Sequence, residues 1–76
     1  MNIAEHICVD PAVMIGKPSI RGTRLTVELV LRKMAEGATM QDMMDAYPML
    51  SIESIHAAMA YAADAVAHEE LVLAPA

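Results

Sequence analysis

The sequence predicts a small, mostly α domain of helix-turn-helix type, preceded by a short β-hairpin or arm. Three stretches after residue 26 repeat apolar residues at spacings of three and four, and each opens on a Ser or Thr able to cap a helix. Only Tyr47-Pro48-Met49-Leu50-Ser51 separates the second stretch from the third, the length of a tight inter-helical turn. A chain of 76 residues and 8.2 kDa holds one core, so a single domain is expected over 1–76. It divides into an N-terminal hairpin or arm with a basic loop (1–25), a three-helix unit (26–70) and a tail (71–76).

At the start, His6-Ile7-Cys8-Val9-Asp10 alternates so that Ile7 and Val9 share a face, and the apolar run Val13-Met14-Ile15 is expected to return beside it. Gly16-Lys17-Pro18 breaks the chain, and Ser19 to Arg24 reads as an ordered loop in which Gly22 supplies a positive φ. The first helix opens at Thr26 and stops at Gly37, with Val27, Val30, Leu31 and Met34 as its inward stripe. Glu28 and Arg32 stand four apart with the acid first, and Lys33 sits in the last turn, where it complements the helix dipole. The second helix opens at Thr39, whose spacing to Asp42 is that of a capping box. Met40, Met43, Met44 and Tyr47 form its stripe until Pro48 ends it. Ser51 caps a longer third helix in which Ile52, Ile55, Met59, Ala62 and Val66 are expected to face the core. Its other side, with Ala57, Ala58, Ala60, Ala63, Ala65 and Ala67, is apolar too, which predicts a second helix against it, supplied by a symmetric dimer. Leu71-Val72-Leu73 is expected to dock on this chain or on another.

Composition narrows the function. Hydrophobic residues make up 57% of the chain, but only Tyr47 and Tyr61 are aromatic and eight residues are Met, so the core is aliphatic and soft. Mean hydropathy is +0.40, high for a lone soluble domain, and this again predicts a homodimer or another partner. The longest fully apolar run, Ala57 to Ala63, is far shorter than the roughly 18 residues of a membrane span. The opening Met1 to His6 lacks the basic start and apolar stretch of a secretory signal, so a cytoplasmic protein is expected.

The net charge of −5 argues against nucleic acid as the main ligand, but its distribution is uneven. All five basic residues, Lys17, Arg21, Arg24, Arg32 and Lys33, lie between positions 17 and 33 beside a single acid, Glu28, for a local net of +4. From Ala38 onward six acids and no Lys or Arg follow. Lys17, Arg21, Arg24 and Arg32 are therefore the expected partner- or DNA-binding residues. DNA binding, if present, is expected to be weak and to run through the basic loop, because the third helix offers Glu53, His56, Ala57, Ala60 and Asp64 outward and no cation. The competing expectation is that one of Arg21 and Arg24 is structural, its guanidinium tying the loop to helix C-terminal carbonyls or to Asp10.

Catalysis is not expected, since no nucleophile-base arrangement or carboxylate pair is spaced for it. Gly16-Lys17-Pro18 lacks the glycine spacing of a phosphate loop. His6, Cys8 and Asp10 alternate on one strand and would not converge on one ion, and Cys8 is expected as a small buried hydrophobe. Asp64 and His68 read as a surface ion pair. No metal or cofactor is expected.

The run from Ile15 to Val27, with Gly16-Lys17-Pro18 and Arg21-Gly22-Thr23-Arg24 within it, resembles the signature of a prokaryotic family, domain of unknown function 433. Glu36-Gly37-Ala38-Thr39, Tyr47-Pro48-Met49-Leu50 and the alanine-rich stretch from Ala57 to Ala62 extend the resemblance over about Ile7 to Val66. Ile15 departs from it, standing where many members carry a second glycine. The resemblance implies a homeodomain-like three-helix unit behind a hairpin or arm, and an antitoxin-like role beside a small PIN-like ribonuclease. On that reading the protein silences a toxin and autoregulates by binding DNA as a dimer. The alternatives are a stand-alone helix-turn-helix transcriptional regulator without a toxin partner, and a purely structural adaptor.

Overall fold

In the computed structural model, which describes residues 2–69, Asn2 accepts a hydrogen bond from the Ala4 amide and opens a 3-10 turn over Ile3–Glu5. Strand β1 (Ile7–Cys8) follows and pairs antiparallel with β2 (Ser19–Ile20), Ile7 opposite Ile20 and Cys8 opposite Ser19. The return strand is thus not the apolar run Val13-Met14-Ile15 expected from the sequence. That run forms a second 3-10 turn, Met14–Gly16, through three successive residues in the left-handed region, with φ of 50°, 57° and 79°. Asp10 shapes the approach by accepting bonds from the Ala12 and Val13 amides.

A β-branched side chain at positive φ is strained, and Ile15 is also 95% exposed, so little packing offsets the strain. Ile15→Gly is therefore expected to raise stability by about 1 kcal/mol, the relief of left-handed strain outweighing glycine's greater freedom in the unfolded chain. Thermal denaturation reads this as a rise in Tm, and a fall would mean that Ile15 makes stabilising contacts.

Past β2 the chain turns sharply. Gly22, at φ 80°, permits the turn in which the Thr23 amide donates to the Ile20 carbonyl, and Leu25 then returns to accept from the Ile20 amide at 2.8 Å. The Val27 amide donates to the Pro18 carbonyl at 2.9 Å, which closes the loop at its base. What the sequence presents as one long basic loop is a strand, a four-residue tip from Arg21 to Arg24, and a return.

Helix α1 (Val27–Ala35) starts where Thr26 accepts from the Leu29 amide and ends where Gly37 takes φ 111°, the Ala38 amide donating to the Lys33 carbonyl. Helix α2 (Met40–Ala46) carries the capping box complete, Thr39 with the Asp42 amide and Asp42 with the Thr39 amide. Helix α3 (Ile52–Glu69) is opened by Ser51, whose hydroxyl accepts from the Ser54 amide. Both strands and all three helices contribute to one core: Ile7 and Ile20 from the strands, Val27 and Val30 from α1, Met43 from α2, Leu50 from the turn, and Ile55, Ala57 and Ala58 from α3. The two buried hydroxyls are satisfied locally, Ser19 on the Lys17 carbonyl and Ser54 on the Ser51 carbonyl, each at 2.9 Å.

The orientation of α3 corrects the sequence reading. Ala57 and Ala58, expected on the outward small-residue face, are fully buried, whereas Ile52, Met59 and Val66 are 48%, 44% and 60% exposed. Of the expected stripe only Ile55 is deep in the core. Alanines face inward because α3 lies against both α1 and the β1 end of the molecule, and short side chains permit that approach. From Ala63 to His68 every residue is exposed, so α3 outruns the core by more than a turn. The tail from Leu71 lies outside the described residues.

Candidate interaction surface

The four cations expected to bind a partner fall into three different settings. Arg21 is turned back onto the backbone: its Nη2 donates to the Ala4 carbonyl at 2.9 Å and to the Ile7 carbonyl at 3.3 Å, while its amide donates to the His6 carbonyl. The side chain ties the first 3-10 turn to β1 and the tip, which is the backbone-fixing geometry that a guanidinium suits. Its anchors are a carbonyl of the first 3-10 turn and one of β1, and are neither Asp10 nor the C-terminal end of an α-helix.

Lys17 and Arg32 converge on Glu28. The Arg32 guanidinium lies 2.9 Å from one Glu28 carboxylate oxygen and the Lys17 ammonium 3.7 Å from the other. The Arg32 contact follows the four-residue spacing seen in the sequence, and the Lys17 contact is made only by the fold. Together they hold the Glu28 carboxyl below its ordinary value of 4.5, the Arg32 hydrogen bond first and the Lys17 charge next. Because the folded value is the lower one, the contribution of Glu28 to stability is present above 4.5 and is lost as pH falls through the folded value. Glu28→Gln is thus expected to flatten the stability profile only on the acid side, slightly, because the site is open to solvent. Acid titration at low and high salt checks it, and a loss persisting in high salt would contradict the screened-pair account.

Arg24 stands apart. It is exposed at the tip and makes no ion pair or hydrogen bond among the described residues. It shares the wall of a 470 Å³ groove with Cys8, Val13, Met14 and Gly22. Ile15, the residue after Met14, is 95% exposed outside the groove. Among the described residues, Arg24 is thus an unpaired guanidinium in one groove with the aliphatic Val13 and the exposed Met14. Sequence reasoning found the cation but missed its apolar neighbours, since Val13-Met14-Ile15 read as the returning strand of a hairpin or arm.

Other expected features resolve simply. Cys8 is half-buried. The His68 ring Nδ1 lies 2.7 Å from the Asp64 carbonyl oxygen, so the expected side-chain ion pair is instead a helix-backbone contact. Among the described residues no group of three His, Cys, Asp or Glu side chains gathers to hold a metal, and no helix is long and apolar enough to cross a membrane. Ala57 is buried and cannot read DNA, and α3 presents Glu53, His56 and Asp64 outward with no Lys or Arg.

A three-helix unit with a two-stranded hairpin ahead of it, whose second strand lies within the basic Gly-Lys-Pro to Arg-Gly-Thr-Arg segment, defines the class. The chain belongs to the family described as protein of unknown function (DUF433), whose model matches residues 7–62. It is 36% identical over 58 residues to the uncharacterized protein y4eO of Sinorhizobium fredii, covering 76% of this chain and 26% of that one. The chain therefore spans about a quarter of the curated relative it matches. The crystal structure of a DUF433 member from Anabaena variabilis is similar, with a TM-score of 0.76 and 28% identity over 91% of this chain and 68% of that chain.

Proposed function

We propose that this protein is an antitoxin-like binding module of the cytoplasm, a dimer without catalytic activity, that sequesters a PIN-like ribonuclease and contacts DNA weakly through its basic tip. The observation that carries the reading is Arg24, an exposed guanidinium without an ion-pair or hydrogen-bond partner among the described residues, sharing a groove with Val13 and the exposed Met14. An Arg flanked by aliphatic groups is the composition of a protein-protein anchor, and a carboxylate cluster that holds a divalent ion in a ribonuclease is a fitting target for it. The +4 segment from Lys17 to Lys33 supports the same reading. A stand-alone transcriptional regulator is the weaker reading, because the outward face of α3 holds Ile52, Glu53, His56 and Met59, which neither neutralise phosphate nor donate to guanine as Arg does.

Co-expression with the product of an adjacent reading frame of PIN type, followed by affinity capture and a ribonuclease assay, tests the proposal. The expected result is a stable complex with suppressed cleavage. Independent purification of the two proteins with full ribonuclease activity in the mixture would overturn it.

A further inference from the structure

We infer that the N-terminal arm, residues 2–8, is exchanged between two copies of this chain, each arm docking on the other copy in place of its counterpart. The inference deepens the dimer of the proposed function and rests on it. What points to it is the segment that joins the arm to the rest of the chain. From Val9 to Lys17 no residue is buried, and Met14 and Ile15 are held at φ of 50° and 57°, a conformation that costs free energy in any residue but glycine. Ile15 is almost fully exposed, so packing does not offset that strain. Backbone bonds run inside the segment, from the Val13 amide to the Asp10 carbonyl, from the Gly16 amide to the Val13 carbonyl and from the Lys17 amide to the Met14 carbonyl. The turn is therefore held by little beyond itself. Asp10 and Lys17 each precede a proline and favour extended backbone, which is what an opened hinge requires at both ends. Extended, residues 9–17 span up to about 30 Å, enough to carry the arm to a neighbouring copy.

The contacts that fix the arm are made with residues beyond the hinge. Ile7 pairs with Ile20 and is buried in the core, Cys8 pairs with Ser19, and the Arg21 guanidinium holds the carbonyls of Ala4 and Ile7. The Arg21 amide adds a bond to the His6 carbonyl. A second copy presents Ser19, Ile20 and Arg21 in the same arrangement, so the arm of one chain fits the other as it fits its own, and a twofold axis satisfies both arms at once. That identity commits the site to a second copy of this chain. The balance between the closed and exchanged forms is set by the hinge, because each exchange returns Met14 and Ile15 to negative φ in both chains, and strained short connections favour exchange for this reason. Arg24 lies on the tip beyond the hinge, so its guanidinium stays with the helical body in either form.

A disulfide across the two strands tests it. Ser19→Cys sets a second thiol directly opposite Cys8, the chain's single cysteine, at a separation that a disulfide spans. In a closed chain that bond is internal, and in an exchanged pair it joins two chains. The full-length variant is refolded at roughly 100 µM, oxidised with glutathione disulfide and run on a denaturing gel without reductant. The expected product is a covalent dimer of twice 8.2 kDa. Ile15→Gly in the same background relieves the closed hinge and is expected to lower the ratio of covalent dimer to monomer by about tenfold or more. Ile15→Pro bars the positive φ of the closed hinge and is expected to leave the dimer alone. Random cross-linking would respond to neither. Ile15 is outside the core, so both variants are expected to keep the helicity of the parent by circular dichroism. Sedimentation of the two Ile15 variants with Ser19 intact repeats the comparison without the disulfide. Covalent monomers from a sample that sediments as a dimer overturn the exchange and leave the dimer standing, as does a dimer indifferent to both Ile15 variants. A monomer by sedimentation at roughly 100 µM overturns both the exchange and the dimer. Capture of the ribonuclease is measured separately and does not bear on the exchange.

Discussion

Ile55→Ala is expected to lower stability by about 2 to 5 kcal/mol, a large share of the roughly 4 to 11 kcal/mol available to a chain of this size. Ile55 is fully buried on α3 within the core to which β1, β2, α1 and α2 all contribute, and its removal leaves a cavity that neighbouring alanines cannot fill. With no Phe or Trp in the chain, no large ring stands ready to repack into the space. The control is Ile52→Ala on the same helix. Ile52 is 48% exposed, and its truncation is expected to change stability by no more than about 0.5 kcal/mol. Urea unfolding of the two variants side by side measures the difference, and equal losses would mean that α3 is not oriented with Ile55 inward.

That comparison also marks where sequence patterning stops being informative. The helix starts were legible because Thr26, Thr39 and Ser51 announce themselves chemically, and each caps its helix as expected. The inward face of α1 was legible because Glu28, Arg32 and Lys33 leave one apolar side. On α3 no such contrast exists. Apolar residues surround the helix, so a spacing of three and four fits several faces, and the larger side chains look like the core when alanines hold it. Strands of two residues fail for a related reason: Ser19-Ile20 has no alternation to detect, whereas Val13-Met14-Ile15 looks like a strand and is held in left-handed backbone. At the candidate surface the cations were visible as residue types. Their partners were not, because only folding brings Lys17 to Glu28 across 11 positions and Arg21 to the carbonyls of Ala4 and Ile7.

Arg21 and Arg24, two cations on one turn, are expected to part company under the same substitution. Arg21→Ala removes both hydrogen bonds that join the tip to the Ala4 and Ile7 carbonyls. A charged donor to a carbonyl contributes about 1.5 to 3 kcal/mol when sheltered, and partial exposure here brings the expected loss for the pair to about 1 to 2 kcal/mol. The cost falls on the N-terminal turn and on the pairing of Ile7 with Ile20, so protection of the His6 to Cys8 amides from hydrogen exchange should drop with the melting temperature. Arg24→Ala removes no hydrogen bond among the described residues and should leave stability within about 0.5 kcal/mol of wild type. Its effect is expected on the proposed ribonuclease partner: loss of a guanidinium desolvated against a carboxylate cluster would cost about 2 kcal/mol or more, a fall in affinity of at least roughly thirtyfold. Arg24→Lys should retain long-range attraction, and hence most of the association rate, while dissociating faster because the planar two-toothed contact is gone. Calorimetric melting and partner titration on the same preparations decide the matter. An Arg24→Ala variant that binds the ribonuclease as tightly as wild type would remove Arg24 from the interface, and an Arg21→Ala variant of unchanged stability would leave its two carbonyl contacts without energetic weight.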